Sequence, residues 1–399
     1  MRDPGSDLGG YLGGLDGLRA VACLTVLAAH SIGHFAPTAT PNGVAQILVQ
    51  GMTIFFALSG MLIYLPFARA IAGAAEPIRI GRYARRRLLR IYPAYVVIFL
   101  ICNFALGIVY GRNALDAARP LTDAGSGRIT DPVDLLLHLS LVQTFVPSQM
   151  QTGIPPAWSL TTELSFYLTL PLVVLAVGGR SGSRLGRAFV PPLIFFAVGT
   201  VGRIVLTRVS AASGLSVDQA EFGSNGVAVL ARSLAIFADT FALGMAVAVL
   251  YVWAEARRGD RWTSGRATAL GWTAIIVGAV GGLLVLDVEH WFVGTFTGLA
   301  AAGLLLLVAD PTARGRDTWL SRLAGVAPLR YVGEISYSVY LWHVPVILLV
   351  SRLGWFHTDS LPTLAGATAL VAVISIVLAS VTFRWIERPA MAWASRPGG

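Results

Sequence analysis

Arg19 and His30 are ionisable residues eleven positions apart on one apolar segment near the N-terminus. On an α-helix this spacing is about three turns, so both side chains project from one face, with ~16 Å between them along the axis. A neutral imidazole can remove a proton near neutral pH, and a guanidinium binds anions. A lone histidine in an apolar helix is often only a hydrogen-bonded structural residue, but the same-face pair favours a functional site.

A second pair of basic residues, Arg87 and Arg90, begins a later apolar segment in the motif YARRRLLRIYP at 83–93. We interpret Arg82, which directly precedes this motif, and Arg85 within it as anchors at the membrane surface. Arg87 and Arg90 are three positions apart and therefore share a helix face. Two forked guanidiniums at a membrane entrance suit the binding of a phosphate group.

Two carboxylates also fall inside apolar segments. Glu163 is in WSLTTELSFY at 158–167, and Asp239 is in a later segment. Trp158 and Tyr167 are compatible with an aromatic belt at the membrane interface. A carboxylate inside the hydrocarbon region has no such role and needs a proton or a basic partner, so both carboxylates are candidate site residues.

The motif SYSVYLWHVP at 336–345 brings four polar side chains, Ser336, Tyr337, Tyr340 and His343, onto one helix. Tyr340 and His343 are neighbours on its surface. Hydrogen bonding between helices is an alternative role for these side chains, and the sequence leaves it open. The sequence has no GxSxG, HExxH, P-loop or GxGxxG motif, and we predict no metal site.

The elements that carry these residues are predicted to be membrane helices. Only 13% of the 399 residues are charged and 55% are hydrophobic, and the mean hydropathy is +0.69. Soluble domains average about 25% charged residues. Apolar runs of 18 residues or more recur along the chain, and each can cross ~30 Å of hydrocarbon. We therefore predict an all-α, polytopic membrane helix bundle.

The charge pattern predicts how the bundle is oriented. The net charge is +9, and all 30 basic residues are arginines. They lie mostly in short loops, which is the positive-inside pattern and argues against a nucleic-acid partner. Both cysteines, Cys23 and Cys102, fall in apolar segments, so no disulfide framework is expected.

Ten spans alternate with loops so that the basic loops share the cytoplasmic side, provided that the amphipathic segment 132–146 does not cross. We expect that segment to be a short re-entrant or interfacial helix. Both termini are then cytoplasmic, with tails at 1–17 and 386–399 flanking a transmembrane domain at 18–385. The predicted spans are 18–36, 44–65, 89–110, 158–178, 190–208, 227–253, 267–287, 291–309, 332–353 and 361–385.

The ordered set of motifs resembles the acyltransferase-3 family of membrane acyltransferases. The set is Arg19-x10-His30, FFALSG at 55–60, Arg87-x2-Arg90 followed by Pro93, WSLTTELSFY and SYSVYLWHVP. The resemblance covers essentially the whole chain. It implies a ten-helix enzyme of the bacterial cytoplasmic membrane that moves an acyl group, most simply acetyl, from cytoplasmic acyl-coenzyme A to a sugar hydroxyl of an envelope glycan or glycolipid.

Some members of the family carry an additional SGNH hydrolase-like domain that completes the transfer outside the membrane. The sequence ends at Gly399 without such a domain. We therefore expect this chain either to complete the transfer itself or to pass the acyl group to a separate extracellular partner.

The resemblance and the residue chemistry together suggest a division of roles. His30 is the expected general base, oriented by Glu163 or Asp239 with Glu163 preferred, and a transient acyl-histidine is an alternative. Arg19, Arg87 and Arg90 are expected to hold the phosphates of coenzyme A. The remaining candidates are expected to line the substrate pocket: Trp158, Ser159, Tyr167, Asp239, Ser336, Tyr337, Tyr340 and His343.

Three other functions are compatible with parts of the pattern. A macrolide O-acyltransferase would use the same site on a different acceptor. A lipid or glycolipid transporter would use the Arg19–His30 stripe as a path, but the sequence has no clear inverted repeat and the Arg87–Arg90 pair argues against it. A structural or signalling membrane protein would leave these costly polar residues without a use.

Overall fold

The computed structural model describes most of the chain but not every residue. Residues 1–12 and 397–399, which belong to the two predicted tails, lie outside the described residues. The described ranges are 13–41, 43–113, 115, 125–177, 184–255, 261–286, 288–309, 319–356 and 359–396.

The described residues form seventeen α-helices and one small hairpin. In the first half, β1 (Val109–Tyr110) pairs antiparallel with β2 (Ser126–Gly127). The helices of this half are α1 (Gly13–Phe35), α2 (Val44–Leu48), α3 (Gly51–Ala72), α4 (Ile80–Leu100), α5 (Pro132–Leu139), α6 (Trp158–Val177) and α7 (Arg184–Ser213).

The second half of the described chain is entirely helical apart from its connections. Its helices are α8 (Val217–Phe222), α9 (Gly226–Ala231), α10 (Leu234–Glu255), α11 (Arg261–Val285), α12 (Val293–Ala309), α13 (Trp319–Ala324), α14 (Ala327–Glu334), α15 (Ser336–Arg352), α16 (Leu361–Thr382) and α17 (Arg388–Ala394). Two π-helical turns, Ile101–Leu106 and Phe383–Glu387, continue α4 and α16. Short 3-10 turns are Gln143–Phe145, Pro147–Gln149, Pro155–Ala157 and His290–Phe292.

The architecture confirms the predicted all-α polytopic membrane bundle. Nine helices among the described residues are long and apolar enough to cross a membrane. The ninth predicted span, 332–353, corresponds to α14 and α15, which are bent by 76° relative to each other. It counts as a span only when the two helices are taken together. The predicted span 227–253 is also interrupted, because α9 ends before Arg232 and α10 begins at Leu234.

The predicted non-crossing segment 132–146 is indeed short, since α5 ends at Leu139 and 3-10 turns follow. Asp131 caps α5 by accepting hydrogen bonds from the amides of Val133 and Asp134. Tyr92 and Tyr95 lie near the middle of the continuous helix formed by α4 and its π-helical turn. Their hydroxyls donate hydrogen bonds to the carbonyls of Ser140 and His138, respectively. The turn after α5 is therefore packed inside the bundle, where irregular backbone is tolerated because protein surrounds it.

Glycines allow the helices that carry the site to approach closely. A Cβ added at Gly60 of α3 would collide with the carbonyl of Phe241 in α10, and one at Gly244 of α10 would collide with that of Ala57. The Ser59–Gly60 pair in FFALSG therefore marks a close helix contact. On the other side of the bundle, a Cβ at Gly333 of α14 would collide with the carbonyl of Asp16 in α1.

The helix α1 is the centre of the bundle, in contact with α3, α14, α15 and α16. Its apolar side chains join those of α3, α6, α10 and α15 in one large buried cluster. In contrast, α7, α11 and α16 expose large apolar side chains on their outer faces, such as Val201, Leu284 and Val377. These faces suit contact with lipid, and the inner helices position the polar residues.

Candidate active site

A pocket between α1, α3, α4, α6 and α15 collects most of the polar residues that the sequence singles out. It contains about 750 Å³ of empty space, its open mouth included. Residues from five well-separated parts of the chain line it together. The predicted residues among them are Arg19, Arg87, Arg90, Ser159, Glu163, Tyr167, Ser336, Tyr337 and Tyr340.

The three arginines make one side of this pocket basic. Arg19 forms an ion pair with Asp16 at 2.9 Å, one turn earlier on α1. Arg87 lies against the rings of Tyr83 and Tyr167, with its Cζ atom 5.8 and 5.6 Å from their centroids. Among the described ion pairs, none involves Arg87 or Arg90. Arg90 donates one hydrogen bond from Nη1 to the sulfur of Met391, at 3.2 Å. With no described carboxylate partner, both guanidiniums suit an anionic ligand.

Glu163 is held within the pocket by hydroxyl groups. Its Oε1 atom accepts hydrogen bonds from Ser59 at 2.9 Å and from Tyr167 at 2.5 Å. The sequence-based expectation was that Glu163 orients His30, but the contacts of the carboxylate lie elsewhere. Ser59 is a pocket residue that the sequence analysis did not single out, although it lies within the motif FFALSG.

His30 instead pairs with His343. The Nδ1 atom of His30 lies 2.9 Å from Nε2 of His343, and the Nδ1 atom of His343 lies 2.5 Å from the backbone carbonyl of Tyr340. A carbonyl can only accept, so Nδ1 of His343 carries a proton. With both rings neutral, Nε2 of His343 accepts from Nδ1 of His30, which leaves Nε2 of His30 with a free lone pair. This arrangement suits a general base.

Tyr340 connects the pocket to the histidine pair. Its hydroxyl donates to the carbonyl of Pro156 at 2.9 Å and lies 3.0 Å from the hydroxyl of Ser159. Its ring centroid is 5.5 Å from that of His343. His343 is buried, whereas His30 is only partly buried. The arginine pocket and His30 are therefore adjacent parts of one polar region, with Tyr340 between them.

Four predicted residues lie outside the pocket lining: His30 and His343, which form the histidine pair, and Asp239 and Trp158. Asp239 forms a buried ion pair with Arg203, at 2.7 Å from Nε to Oδ2, and also accepts a hydrogen bond from Thr295. In this arrangement Asp239 orients Arg203 and not His30, which corrects the expectation that it is an alternative partner of that histidine. Trp158 packs against Phe237 with a centroid distance of 5.3 Å. Asp239 thus contributes to the packing of α10 against α7, and Trp158 to the packing of α10 against α6.

The motif FRWIERP at 383–389 directly follows α16. In the structure, Glu387 is buried and accepts a hydrogen bond from Ser338 of α15. The π-helical turn Phe383–Glu387 aims this carboxylate inward. Searched over the described ranges, the structure has no group of three or more His, Cys, Asp or Glu side chains arranged to hold a metal ion.

Comparison with known proteins assigns a family. A family model described as "Acyltransferase domain" matches residues 12–384. The chain is 25% identical over 95% of its length to "Putative peptidoglycan O-acetyltransferase YrhL" of Bacillus subtilis (strain 168), covering 55% of that protein. It is 27% identical over 94% of its length to "Acyltransferase MdmB" of Streptomyces mycarofaciens, covering 91%.

A third relative is "Putative O-acetyltransferase SACOL0978" of Staphylococcus aureus (strain COL), 22% identical over 95% of this chain and 57% of that protein. The chain thus spans little more than half the length of two of these three relatives, and nearly all of the third. No solved structure matches the chain significantly.

Proposed function

Because this chain belongs to the membrane acyltransferase family whose model spans residues 12–384, we propose that it is an O-acyltransferase that moves an acyl group from acyl-coenzyme A to a sugar hydroxyl. The observation that carries the proposal is the continuity of the site. Arg19, Arg87 and Arg90 line one pocket with Tyr340, and Tyr340 leads through His343 to His30. An anion-binding part and a proton-accepting part therefore meet in one region.

The proposed donor is acetyl-coenzyme A, entering from the cytoplasmic side. Its phosphates suit the guanidiniums of Arg19, Arg87 and Arg90, because charge-assisted hydrogen bonds to phosphate oxygens are strong and directional. Glu163, fixed by hydrogen bonds from Ser59 and Tyr167, lines the same pocket. In this arrangement Glu163 shapes the pocket instead of acting on His30.

In the proposed reaction, Nε2 of His30 removes the proton from the acceptor hydroxyl as its oxygen attacks the thioester carbonyl. The tetrahedral intermediate collapses, the carbon–sulfur bond breaks, and the thiolate of coenzyme A takes the proton back from His30. His343 holds His30 in the tautomer that exposes Nε2. Direct transfer needs no acyl-histidine, so we favour it over a covalent intermediate.

For the acceptor, we propose a hydroxyl of a cell-envelope glycan or glycolipid. One relative is named as a peptidoglycan O-acetyltransferase, which supports this choice. A macrolide or other secondary metabolite is the second candidate. It is supported by the relative MdmB, an acyltransferase of Streptomyces, because the match covers 91% of that protein.

The chain is a multi-pass membrane protein. We propose the bacterial cytoplasmic membrane as its location, with both termini in the cytoplasm, because the positive-inside distribution of its arginines favours this orientation. A separate extracellular protein that receives the acyl group is the alternative to direct transfer by this chain.

The test uses membranes that contain the native acceptor, prepared from cells whose own copy of the gene is deleted. Wild-type protein is expected to transfer label from [14C]acetyl-coenzyme A into a glycan or lipid fraction, and mass spectrometry of that fraction identifies the acceptor. His30→Ala is expected to lower the rate about 10²–10⁴-fold at equal amounts of inserted protein. A wild-type rate for His30→Ala, or no labelling by the wild-type protein, would contradict the proposal.

A further inference from the structure

Arg232 is a buried arginine at the interruption between α9 and α10, and neither the sequence motifs nor the proposed reaction uses it. Its side chain is 10% exposed. Its Cζ atom lies 4.2 Å from the ring centroid of Phe222 and 4.8 Å from that of Trp158. Its backbone carbonyl accepts a hydrogen bond from Thr162 at 2.6 Å, which fixes the interruption against α6.

The guanidinium of Arg232 has donors without acceptors. Its Nη2 atom is 3.7 Å from Oε2 of Glu221, which is too long for a hydrogen bond. Within the part of the chain that the structure describes, neither Nε nor Nη2 has a hydrogen-bond partner. A buried charge without hydrogen bonds is costly. The arrangement is explained when a ligand supplies the missing acceptor.

Arg203 shows how a structural arginine is held in the same bundle. It is also buried, but its Nε and Nη2 atoms bond both oxygens of Asp239, at 2.7 and 3.1 Å, and its Nη1 atom bonds the carbonyl of Trp291. Each of the three guanidinium nitrogens of Arg203 therefore has an acceptor within the protein. Arg232 differs in keeping two donors free, which is the pattern of a binding group.

The position of Arg232 identifies the ligand atom that it would bind. The guanidinium packs on the ring of Trp158. The next residue in the chain, Ser159, lines the pocket and lies 3.0 Å from the hydroxyl of Tyr340. Tyr340 forms part of the pocket wall, and His30 is the proposed base. The acyl carbonyl must lie between them during transfer, because the donor occupies the pocket and the acceptor hydroxyl must reach His30.

We propose that Arg232 donates hydrogen bonds to the carbonyl oxygen of the acyl group and stabilises its negative charge during transfer. This inference rests on the proposed function. As the acceptor oxygen bonds to the thioester carbon, the carbonyl electron pair moves to its oxygen, which Arg232 then binds. When the carbonyl re-forms, the carbon–sulfur bond breaks, and coenzyme A leaves as a thiolate that takes the proton held by His30. Arg232 completes a site in which His30 moves the proton and a fixed cation binds the developing charge.

The test is a kinetic comparison in the labelling assay described for His30→Ala. Arg232→Met removes the donors while keeping a similar volume, and Arg232→Lys keeps the charge without the planar fork. Arg352→Met is the matched control, because Arg352 bonds Gly107 and Ser126 at the exposed end of α15. kcat and the KM for acetyl-coenzyme A are measured per amount of inserted protein.

Arg232→Met is expected to lower kcat about 10²–10³-fold, the loss typical of a removed oxyanion donor, with an unchanged KM for acetyl-coenzyme A. Arg232→Lys is expected to fall between Arg232→Met and wild type, and Arg352→Met to match wild type. If Arg232→Met does not accumulate in membranes, the test depends on the kcat of Arg232→Lys. A wild-type kcat for Arg232→Lys then overturns the inference.

Two further outcomes would also overturn the inference. In the first, KM rises and kcat does not change, which would indicate ground-state binding alone. In the second, His30→Ala is inactive while Arg232→Met keeps a wild-type kcat, which leaves the proposed function standing without this role for Arg232. If His30→Ala itself is fully active, the proposed function fails first.

Discussion

The Nδ1 atom of His30 lies 2.9 Å from Nε2 of His343, although 313 positions of sequence separate the two residues. The contact joins α1 to α15 at the place where the polar faces of both helices meet. Because His343 also bonds the carbonyl of Tyr340 at 2.5 Å, its ring is fixed at both nitrogens. His30 is thereby held through one nitrogen, and the other stays free for chemistry.

His343→Ala is expected to lower kcat about 10- to 100-fold while leaving the KM for acetyl-coenzyme A nearly unchanged. The reason is that Nδ1 of His30 loses its acceptor, which costs about 1–3 kcal/mol for a buried group, and each ~1.4 kcal/mol in the barrier is tenfold in rate. His343→Gln, whose side-chain oxygen can still accept, should recover part of the rate. The measurement is the acetyl-transfer rate against acetyl-coenzyme A concentration.

His290→Gln serves as the control for the His343 series, because His290 lies in a short 3-10 turn before α12. It is expected to keep the wild-type rate. Equal rates for His343→Ala and wild type would show that the histidine pair has no part in transfer.

The sequence predicted which residues belong to the site better than it predicted which of them contact one another. Helical spacing alone places Arg19 and His30 on one face, and Arg87 and Arg90 also line the predicted pocket. The pairing of His30 with His343 depends on how α1 and α15 pack, and periodicity along one helix carries no information on that. For the same reason the predicted link between Glu163 and His30 was replaced by bonds from Glu163 to α3 and within α6.

Fold prediction had a similar limit. Apolar length predicts membrane helices well, since each needs about 20 apolar residues to cross. Breaks and bends inside apolar runs are harder to predict from the sequence than the runs themselves. The break at Arg232 and the 76° bend between α14 and α15 are stabilised by contacts with other helices, so neither is evident from local sequence.

Arg90→Ala is expected to weaken coenzyme A binding about 10- to 100-fold, because a charge-assisted hydrogen bond contributes about 1.5–3 kcal/mol. Arg87→Ala should weaken coenzyme A binding to a similar extent. In both variants, coenzyme A binding should depend less on salt concentration than in the wild-type protein. Isothermal titration of the detergent-solubilised protein with coenzyme A measures the dissociation constant. Arg82→Ala is the control, since Arg82 is exposed and outside the pocket lining. Unchanged binding by both pocket variants would exclude this pocket as the coenzyme A site.

Arg203→Met is expected to lower the free energy of unfolding by about 3–5 kcal/mol, because it leaves the Asp239 carboxylate buried without its partner. The double variant Arg203→Met/Asp239→Leu should recover most of this loss, since it removes both charges together. Thermal unfolding in detergent measures the effect. If Asp239→Leu instead kept wild-type stability and raised KM alone, Asp239 would be a substrate-binding residue after all.

His138 gives the fold a dependence on pH. The ring stacks on Phe99 at 5.5 Å, and its Nδ1 atom bonds the carbonyl of Asp134 at 2.7 Å. Burial of this imidazole on α5 lowers the pKa of His138 below its ordinary value of 6.5. As the pH falls, the unfolded chain therefore takes up this proton before the folded protein does. The contribution of neutral His138 to stability is fully present above about pH 6.5 and is lost as the pH falls towards the lowered pKa.

Wild-type protein should consequently lose stability between pH 7 and pH 5 faster than His138→Gln, by at most about 1.4 kcal/mol per pH unit for a single proton. His138→Gln will itself be less stable at pH 7, because it gives up the stacking on Phe99 and the bond to Asp134. The decisive quantity is therefore the slope of the unfolding midpoint with pH, and not its value at one pH. Taking the difference between the two proteins cancels the other titrating groups that they share. Parallel slopes for wild type and His138→Gln would show that His138 keeps an ordinary affinity for protons in the folded protein.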